Sequence, residues 1–274
     1  LQMAMVFLFI MKMAEHAKEK WYIAMTLENK NCIEYLSTLE DNSVDLVLTD
    51  PPYFIGFDGG KGWDSQWKDE DEYLDWCKLW TEECARVLKP NRMMVIWGTL
   101  KTDTFLRHKL EILNKIPELN GQNEIIWSYN WGGRQKSNFA RKHEFAWCYS
   151  KGKEFLFNAN DVRIERKVKT NLRTGKAHEK GTIPTSVWEK NNHTTEKTFC
   201  GWHPTTKNVY LLERFIKAYT NPGDTVLDIF MGSGSTAIAC HNVERNPIGC
   251  ELDEEYWTKS LERIESLKNP LQHM

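Results

Sequence analysis

Two short runs of this 274-residue sequence hold residue types whose spacing could do chemistry. The first is Asp50-Pro51-Pro52-Tyr53, directly after the apolar run Val44-Asp-Leu-Val-Leu-Thr49. A carboxylate at the end of a buried strand stands on the rim where open α/β sheets bind ligands. Two prolines stiffen the turn, so the Asp50 carboxylate, the Pro51 carbonyl and the Tyr53 ring hold a fixed geometry. That geometry suits a planar heterocycle with an exocyclic amino group: Tyr53 stacks on the ring while Asp50 and the carbonyl accept its two N–H bonds. Pro-Pro-Tyr alone reads equally as a turn with a packed tyrosine. The second run is Asp228-Ile-Phe-Met-Gly-Ser-Gly-Ser-Thr236, followed by Glu251. Glycines at 232 and 234, between a strand and a helix N-terminus, let a ligand approach the backbone. An acid at the end of the next strand can accept both ribose hydroxyls. The pattern indicates a nucleoside cofactor without saying which. Dinucleotide binding competes, but Ala237 stands where the third glycine of GxGxxG would be.

Alternating strands and helices must position these runs. Val44–Thr49 reads as a short buried strand ending at the Pro-Pro breaker. Residues 69–89 form an amphipathic helix with Tyr73, Trp76, Cys77, Trp80, Cys84, Val87 and Leu88 on one face and an acidic first turn. Pro90-Asn91 should stop it, and residues 93–97 read as the next strand. Ile125 to Tyr129 and Phe145 to Tyr149 look like two more. Residues 207–219 are helical, with Val209, Leu212, Phe215, Ile216 and Tyr219 inward, and Asn221-Pro-Gly-Asp224 is a turn. Thr225–Ile229 is a strand, 235–242 a helix and 247–251 a strand. A last helix places Trp257, Leu261, Ile264 and Leu267 on one side. This alternation argues for a doubly wound, mostly parallel α/β sheet with an inserted basic segment. Asp58 to Trp67, with Gly59, Gly60 and Gly62, reads equally as a lid or as an ordinary connection.

Composition sets the limits. The chain is 41% hydrophobic and 27% charged, as expected of a globular protein, with a net charge of -2. A uniformly basic binder is excluded. Charge is nonetheless uneven: residues 134–190 hold 14 Lys/Arg against 6 Asp/Glu, so the remainder carries a net charge of -10. One face meeting a polyanion gives this pattern, as does a solvated surface. The apolar run Met3 to Met11 is short of the roughly 20 residues of a membrane helix and makes a poor signal peptide, so no membrane association is expected. Seven scattered cysteines without a CxxC pair point to reduced thiols in a cytoplasm. Cys200, His203 and His193 fit no common ligand spacing, and no metal is expected.

The order and wording of these runs resemble the S-adenosylmethionine-dependent amino-group DNA methyltransferases of the permuted beta group, over about Thr26 to Leu267. Asn42-Ser-Val-Asp-Leu-Val-Leu-Thr-Asp-Pro-Pro-Tyr53 is similar to the family's catalytic strand. Val87-Leu-Lys-Pro-Asn91 and Arg141-Lys-His-Glu144 resemble later motifs. The most specific run extends from Trp202-His-Pro-Thr-Thr-Lys-Asn208 through Asn221-Pro-Gly-Asp224 to Asp228-Ile-Phe-Met-Gly-Ser-Gly-Ser235. The sequence departs from the family at Lys30-Asn31-Cys32, where Gly-Asp is usual. It departs again at Thr206 and Asn208 in the family's HPTQKP, and at Ile229, where proline is commoner.

The resemblance implies a circularly permuted, Rossmann-like methyltransferase domain. Residues 1–20 would be an extension, 21–130 the catalytic half, 131–200 the target-recognition region with a flanking motif, and 201–274 the cofactor-binding half. It implies Asp50, Pro51, Pro52 and Tyr53 as the catalytic residues. For S-adenosylmethionine it implies Asn31, Cys32, His203, Thr205, Lys207, Asp228, Phe230, Gly232, Ser233, Gly234, Ser235, Thr236 and Glu251, with Lys207 read alternatively as a surface residue. The basic segment supplies candidate contacts to double-stranded DNA: Arg134, Lys136, Asn138, Arg141 and Lys142 near base edges, and Arg163, Arg166, Lys167, Lys169, Arg173 and Lys176 on phosphates. Adenine N6, on a flipped nucleotide, is the first choice of target because Asp is commoner before Pro-Pro-Tyr in adenine enzymes. Cytosine N4 stays open, as do an RNA substrate, a nicotinamide-dependent dehydrogenase and a non-catalytic DNA-binding module. A cognate restriction endonuclease and a homodimer are further partners that the resemblance admits.

Overall fold

The computed structural model describes residues 25–130, 136–165, 179–189 and 200–266. Val44–Thr49 forms strand β2, and all six of its residues are buried. Val44 and Val47 enter one apolar layer, with Trp80, Cys84, Met94 and Ile96. Leu46 and Leu48 enter the opposite layer, with Met93, Val95, Trp97, Phe215 and Ile216. A strand covered on both faces reads as a continuous apolar run, as this one does. The exception is Asp45, whose buried carboxylate is answered by Lys89 and Arg92 at 2.9 Å and by the Thr225 N–H at 3.0 Å.

Eight strands build one sheet. They are β1 (Thr26–Asn29), β2, β3 (Leu88–Gly98), β4 (Leu119–Ser128), β5 (His143–Lys151), β6 (Val187–Glu189), β7 (Thr225–Asp228) and β8 (Asn246–Glu251), in the order β1-β8-β7-β2-β3-β5-β4-β6. All neighbours are parallel except β5, which runs antiparallel to both β3 and β4. The helices are α1 (Cys32–Ser37), α2 (Glu70–Val87), α3 (Thr104–Arg107), α4 (Val209–Tyr219), α5 (Ser235–Asn242) and α6 (Glu254–Ser266). The expected mostly parallel α/β sheet is thus present. Residues 143–151 and 187–189, within the basic stretch, are strands of that sheet.

Three local readings are corrected. Pro90-Asn91 does not stop α2, which ends at Val87 and passes straight into β3. Pairing there jumps from Val44↔Leu88 to Leu46↔Met93, so Pro90 and Asn91 bulge out of the ladder. The buried face of α6 is Tyr256, Ser260 and Ile264; of the expected stripe Ile264 is buried as read, Trp257 and Leu261 are half-buried, and Leu267 lies outside the described residues. The cause is contact with the glycine bend, where a Cβ on Gly234 would meet Ser260 and Ile264 at 3.2 Å. Finally β1, α1, α3 and β6 were not anticipated. Among the described residues no helix is long and apolar enough to cross a membrane.

Candidate active site

Strands β2, β7 and β8 end on one edge of the sheet, where a cleft of about 1140 Å³ opens. At the β7 end, Gly232 and Gly234 have φ of 50° and 75°, the left-handed region. A Cβ on Gly232 would lie 2.8 Å from His203 Nε2, so this glycine admits a protein ring as well as a ligand. Glu251 fastens the bend: one carboxylate oxygen accepts the Gly232 N–H at 2.7 Å and the other the Asp253 N–H at 2.9 Å. Burial holds this acid above the ordinary carboxylate range. Asp228 is occupied inside the fold, accepting from Thr49 at 2.9 Å, Thr236 at 2.6 Å and the Phe230 N–H at 3.1 Å, and burial raises it to about 6. Ser233 and Ser235 are paired hydroxyls, 3.0 Å apart, braced by Arg263.

The remaining cofactor candidates line the same cleft. Phe230 packs on Trp76 and Trp80. Asn31 caps α1, its side chain accepting the Ile33 N–H at 2.9 Å. Burial pushes the neighbouring Cys32 thiol up to about 12, so it is no nucleophile. His203 stays neutral, lowered to about 4 by burial and next by the charge of Lys207, while Thr205 donates its N–H to the ring at 3.4 Å. Acceptors on Glu251, aromatic walls and close-lying backbone at the glycine bend fit an adenosine-type cofactor.

At the β2 end stands a charged cluster. Tyr53 donates its hydroxyl to Asp50 Oδ1 at 2.5 Å, and Tyr73 donates to the Pro52 carbonyl at 2.7 Å. Lys207 is 7% exposed. Its ammonium reaches Asp50 Oδ2 at 2.6 Å, the Tyr53 hydroxyl at 3.0 Å and Glu144 Oε2 at 3.1 Å. Burial alone would lower this ammonium, but Asp50 and Glu144 together hold it above its usual value. Lys207 is therefore a buried member of the Asp50 cluster and not a surface residue. Glu144 escaped the sequence reading; its signal was the Arg141-Lys-His-Glu144 motif, whose acid the antiparallel direction of β5 carries to the rim.

Asp64 was also missed. Buried beneath the segment after Tyr53, it accepts the N–H groups of Tyr53, Phe54, Ile55 and Phe57 at 2.6–3.0 Å. Lys61, in the same loop, pairs with Asp253 and Glu255 at the start of α6. The glycine-rich loop is thus fastened at both sides of the cleft. A second groove adjoins it, lined by Tyr53, Lys101, Asn138, Phe139, Arg141 and Glu144 among others, with Phe139 96% exposed. Lys136, Asn138 and Arg141 are exposed and Lys142 is half-exposed. Arg163 is half-exposed and donates to Asn160 and to the Gly181 carbonyl. Arg134, Arg166, Lys167, Lys169, Arg173, Lys176 and His193 lie outside the described residues.

A permuted α/β sheet with a nucleoside cleft running into a strand-end Asp-Pro-Pro-Tyr defines a methyltransferase-type domain. The solved PvuII DNA methyltransferase, cytosine-N4-specific, superposes with a TM-score of 0.69 at 20% identity over 88% of each chain. The M1.HpyAVI–SAM complex gives 0.61 at 27% identity, over 88% of this chain and 98% of that one. Among sequence relatives, the type II methyltransferase M.HpaI of Haemophilus parainfluenzae is 34% identical over 238 residues, 86% of this chain and 73% of its own length. The DNA adenine methyltransferase YhdJ of Escherichia coli K12 is 31% identical, over 88% of this chain and 83% of its own. Residues 44–262 match the N6/N4 methyltransferase family described as DNA methylase, and the chain belongs to that family. It is an S-adenosylmethionine-dependent DNA methyltransferase.

Proposed function

We propose that the enzyme methylates the exocyclic N6 of adenine in double-stranded DNA, with the target nucleotide flipped out of the duplex. The observation that carries this reading is the placement of Asp50-Pro51-Pro52-Tyr53 at the end of β2, in one cleft with the glycine bend and Glu251. A stacked base cannot bring its amino nitrogen to such a recessed site, and unstacking costs a few kcal/mol that stacking on Tyr53 partly returns. Asp50 and the Pro51 carbonyl accept the two amino N–H bonds. They draw the nitrogen toward tetrahedral geometry and localise its lone pair, a matter of positioning and electrostatics. S-adenosylmethionine supplies a methyl group activated by its sulfonium centre. The nitrogen would take the methyl as the methyl–sulfur bond breaks and a neutral thioether leaves, and the amino proton would go to Asp50 or water. Glu251, Phe230 and the backbone at Gly232 hold the nucleoside, with Lys136, Asn138, Arg141 and Lys142 toward the DNA.

The adenine specificity of the relative YhdJ and the Asp of the motif favour adenine, whereas the PvuII enzyme, similar in fold, is cytosine-N4-specific. Incubation with labelled S-adenosylmethionine and unmethylated DNA, then nucleoside mass spectrometry, decides between them. N6-methyldeoxyadenosine is the expected product; N4-methyldeoxycytidine would overturn the base and keep the mechanism. Asp50→Ala should lower turnover by at least ~1000-fold with cofactor affinity held. A cognate restriction endonuclease, supported by the type II names of relatives, and a homodimer complete the proposal; co-purification and light scattering test them.

A further inference from the structure

Three charged side chains meet at the catalytic end, and the roles above use only one of them. Asp50 is doubly engaged, by the Tyr53 hydroxyl on Oδ1 and the Lys207 ammonium on Oδ2. An incoming amino N–H has to share an oxygen with one of these donors, which sit at 2.5 and 2.6 Å. Lys207 is buried and cannot turn to water, so its charge needs another partner close by. Glu144 is that partner. Its Oε2 lies 3.1 Å from the ammonium as an ion pair, and among the described residues this buried oxygen has no hydrogen-bond partner. Glu144 also stands in the wall shared by the cofactor cleft and the second groove, beside the path a base from that groove would take.

We propose that Glu144 is a positioning residue that takes over the Lys207 ammonium when Asp50 turns to the amino group of the target base. The exchange moves one ammonium a short way between two carboxylates. No buried charge is left unpaired, and no covalent bond changes. The proposal rests on the base-methylation reading above. The groups facing Glu144 are Asp50 and Tyr53 from the turn after β2, Lys207 ahead of α4, Tyr129 after β4 and Arg141 ahead of β5. Burial, the largest influence, holds Glu144 above the ordinary carboxylate value.

The test uses the full chain, unmethylated phage DNA and labelled S-adenosylmethionine, with kcat, KM and pH profiles for wild type, Glu144→Gln and Glu144→Asp. A neutral amide cannot hold the ammonium. Glu144→Gln should therefore lose roughly 10- to 100-fold in kcat, the range in which misplacing a reacting group costs rate. KM for the cofactor and the thermal midpoint should stay near wild type. The wild-type rate should fall on the acid side as Glu144 is protonated, and in Glu144→Gln that limb should move to lower pH. Glu144→Asp should recover part of kcat together with the limb. Wild-type kcat in Glu144→Gln, or a loss accompanied by weakened cofactor binding and a lowered midpoint, overturns the proposal. Absence of methylated nucleoside with the wild-type protein would instead overturn the functional reading beneath it.

Discussion

Four carboxylates that line one cleft do different work. Asp50 and Glu144 share a counter-ion, Glu251 accepts two backbone N–H groups, and Asp228 has only neutral donors. Asp228 is accordingly raised from 3.8 to about 6, chiefly by burial and against the pull of its hydrogen bonds. An acid whose folded value lies above its unfolded value stabilises most fully below the unfolded one. Its contribution is lost as pH rises through the folded one. Between about pH 4 and pH 6 this residue should therefore remove about 3 kcal/mol of stability. Urea midpoints across that interval, compared with Asp228→Asn, check the sign. The variant should flatten the decline, because an amide can still bond Thr49 and Thr236 without ionising. Two of the departures from the family pattern also resolve at this scale. Asn31 and Asn208 are N-caps, of α1 and α4, each accepting an N–H two residues on. Helix starts at these points favour short polar side chains.

The elements that hold the site are fixed by contacts remote in sequence. This separates what was legible from what was not. β2 and α5 were read to the residue because each is a short, buried stretch with its own stop, the Pro-Pro turn after β2 and the glycine bend before α5. β1 and β6 have only four and three residues, too few to show a period, and they exist as strands because β8 and β4 offer paired edges. The catalytic and cofactor motifs were visible as words. The ion triad was not, since Asp50, Glu144 and Lys207 come from a turn, an antiparallel strand and a helix approach. The loop after Tyr53 shows the same limit. Its three glycines suggested a lid, but Asp64 holds four consecutive-stretch N–H groups of residues 53–57. Asp64→Ala strips acceptors from all four at once and should cost about 3 kcal/mol, the scale for hydrogen bonds to a charged acceptor. Limited proteolysis should then cut within residues 53–67, where wild type resists. A melting curve and cleavage map like those of wild type would show that Lys61 and its acidic partners on α6 suffice to hold the loop.

On the scale of the whole molecule, net charge argues against a polyanionic partner and charge distribution argues for one. The chain is -2 overall, yet residues 134–190 carry a surplus of eight positive charges. Part of that stretch is locked into the sheet as β5 and β6. Of the described basic residues of that stretch Arg141 lines the second groove, joined by Lys101 from outside it, beside Asn138 and the exposed Phe139 and next to Tyr53. A duplex seated there would bring phosphates against these cations. Each phosphate contact releases counter-ions, so affinity should fall steeply with salt, about 100-fold between 50 and 200 mM if some four phosphates are neutralised. Fluorescence anisotropy over that range gives the slope of log Kd against log salt, and Arg141→Ala should reduce it by about one. Arg163→Ala should leave the slope alone, because its guanidinium is bonded to Asn160 and Gly181. Equal effects from the two arginines would mean that binding senses the overall charge of the segment and that the groove has no special place in it.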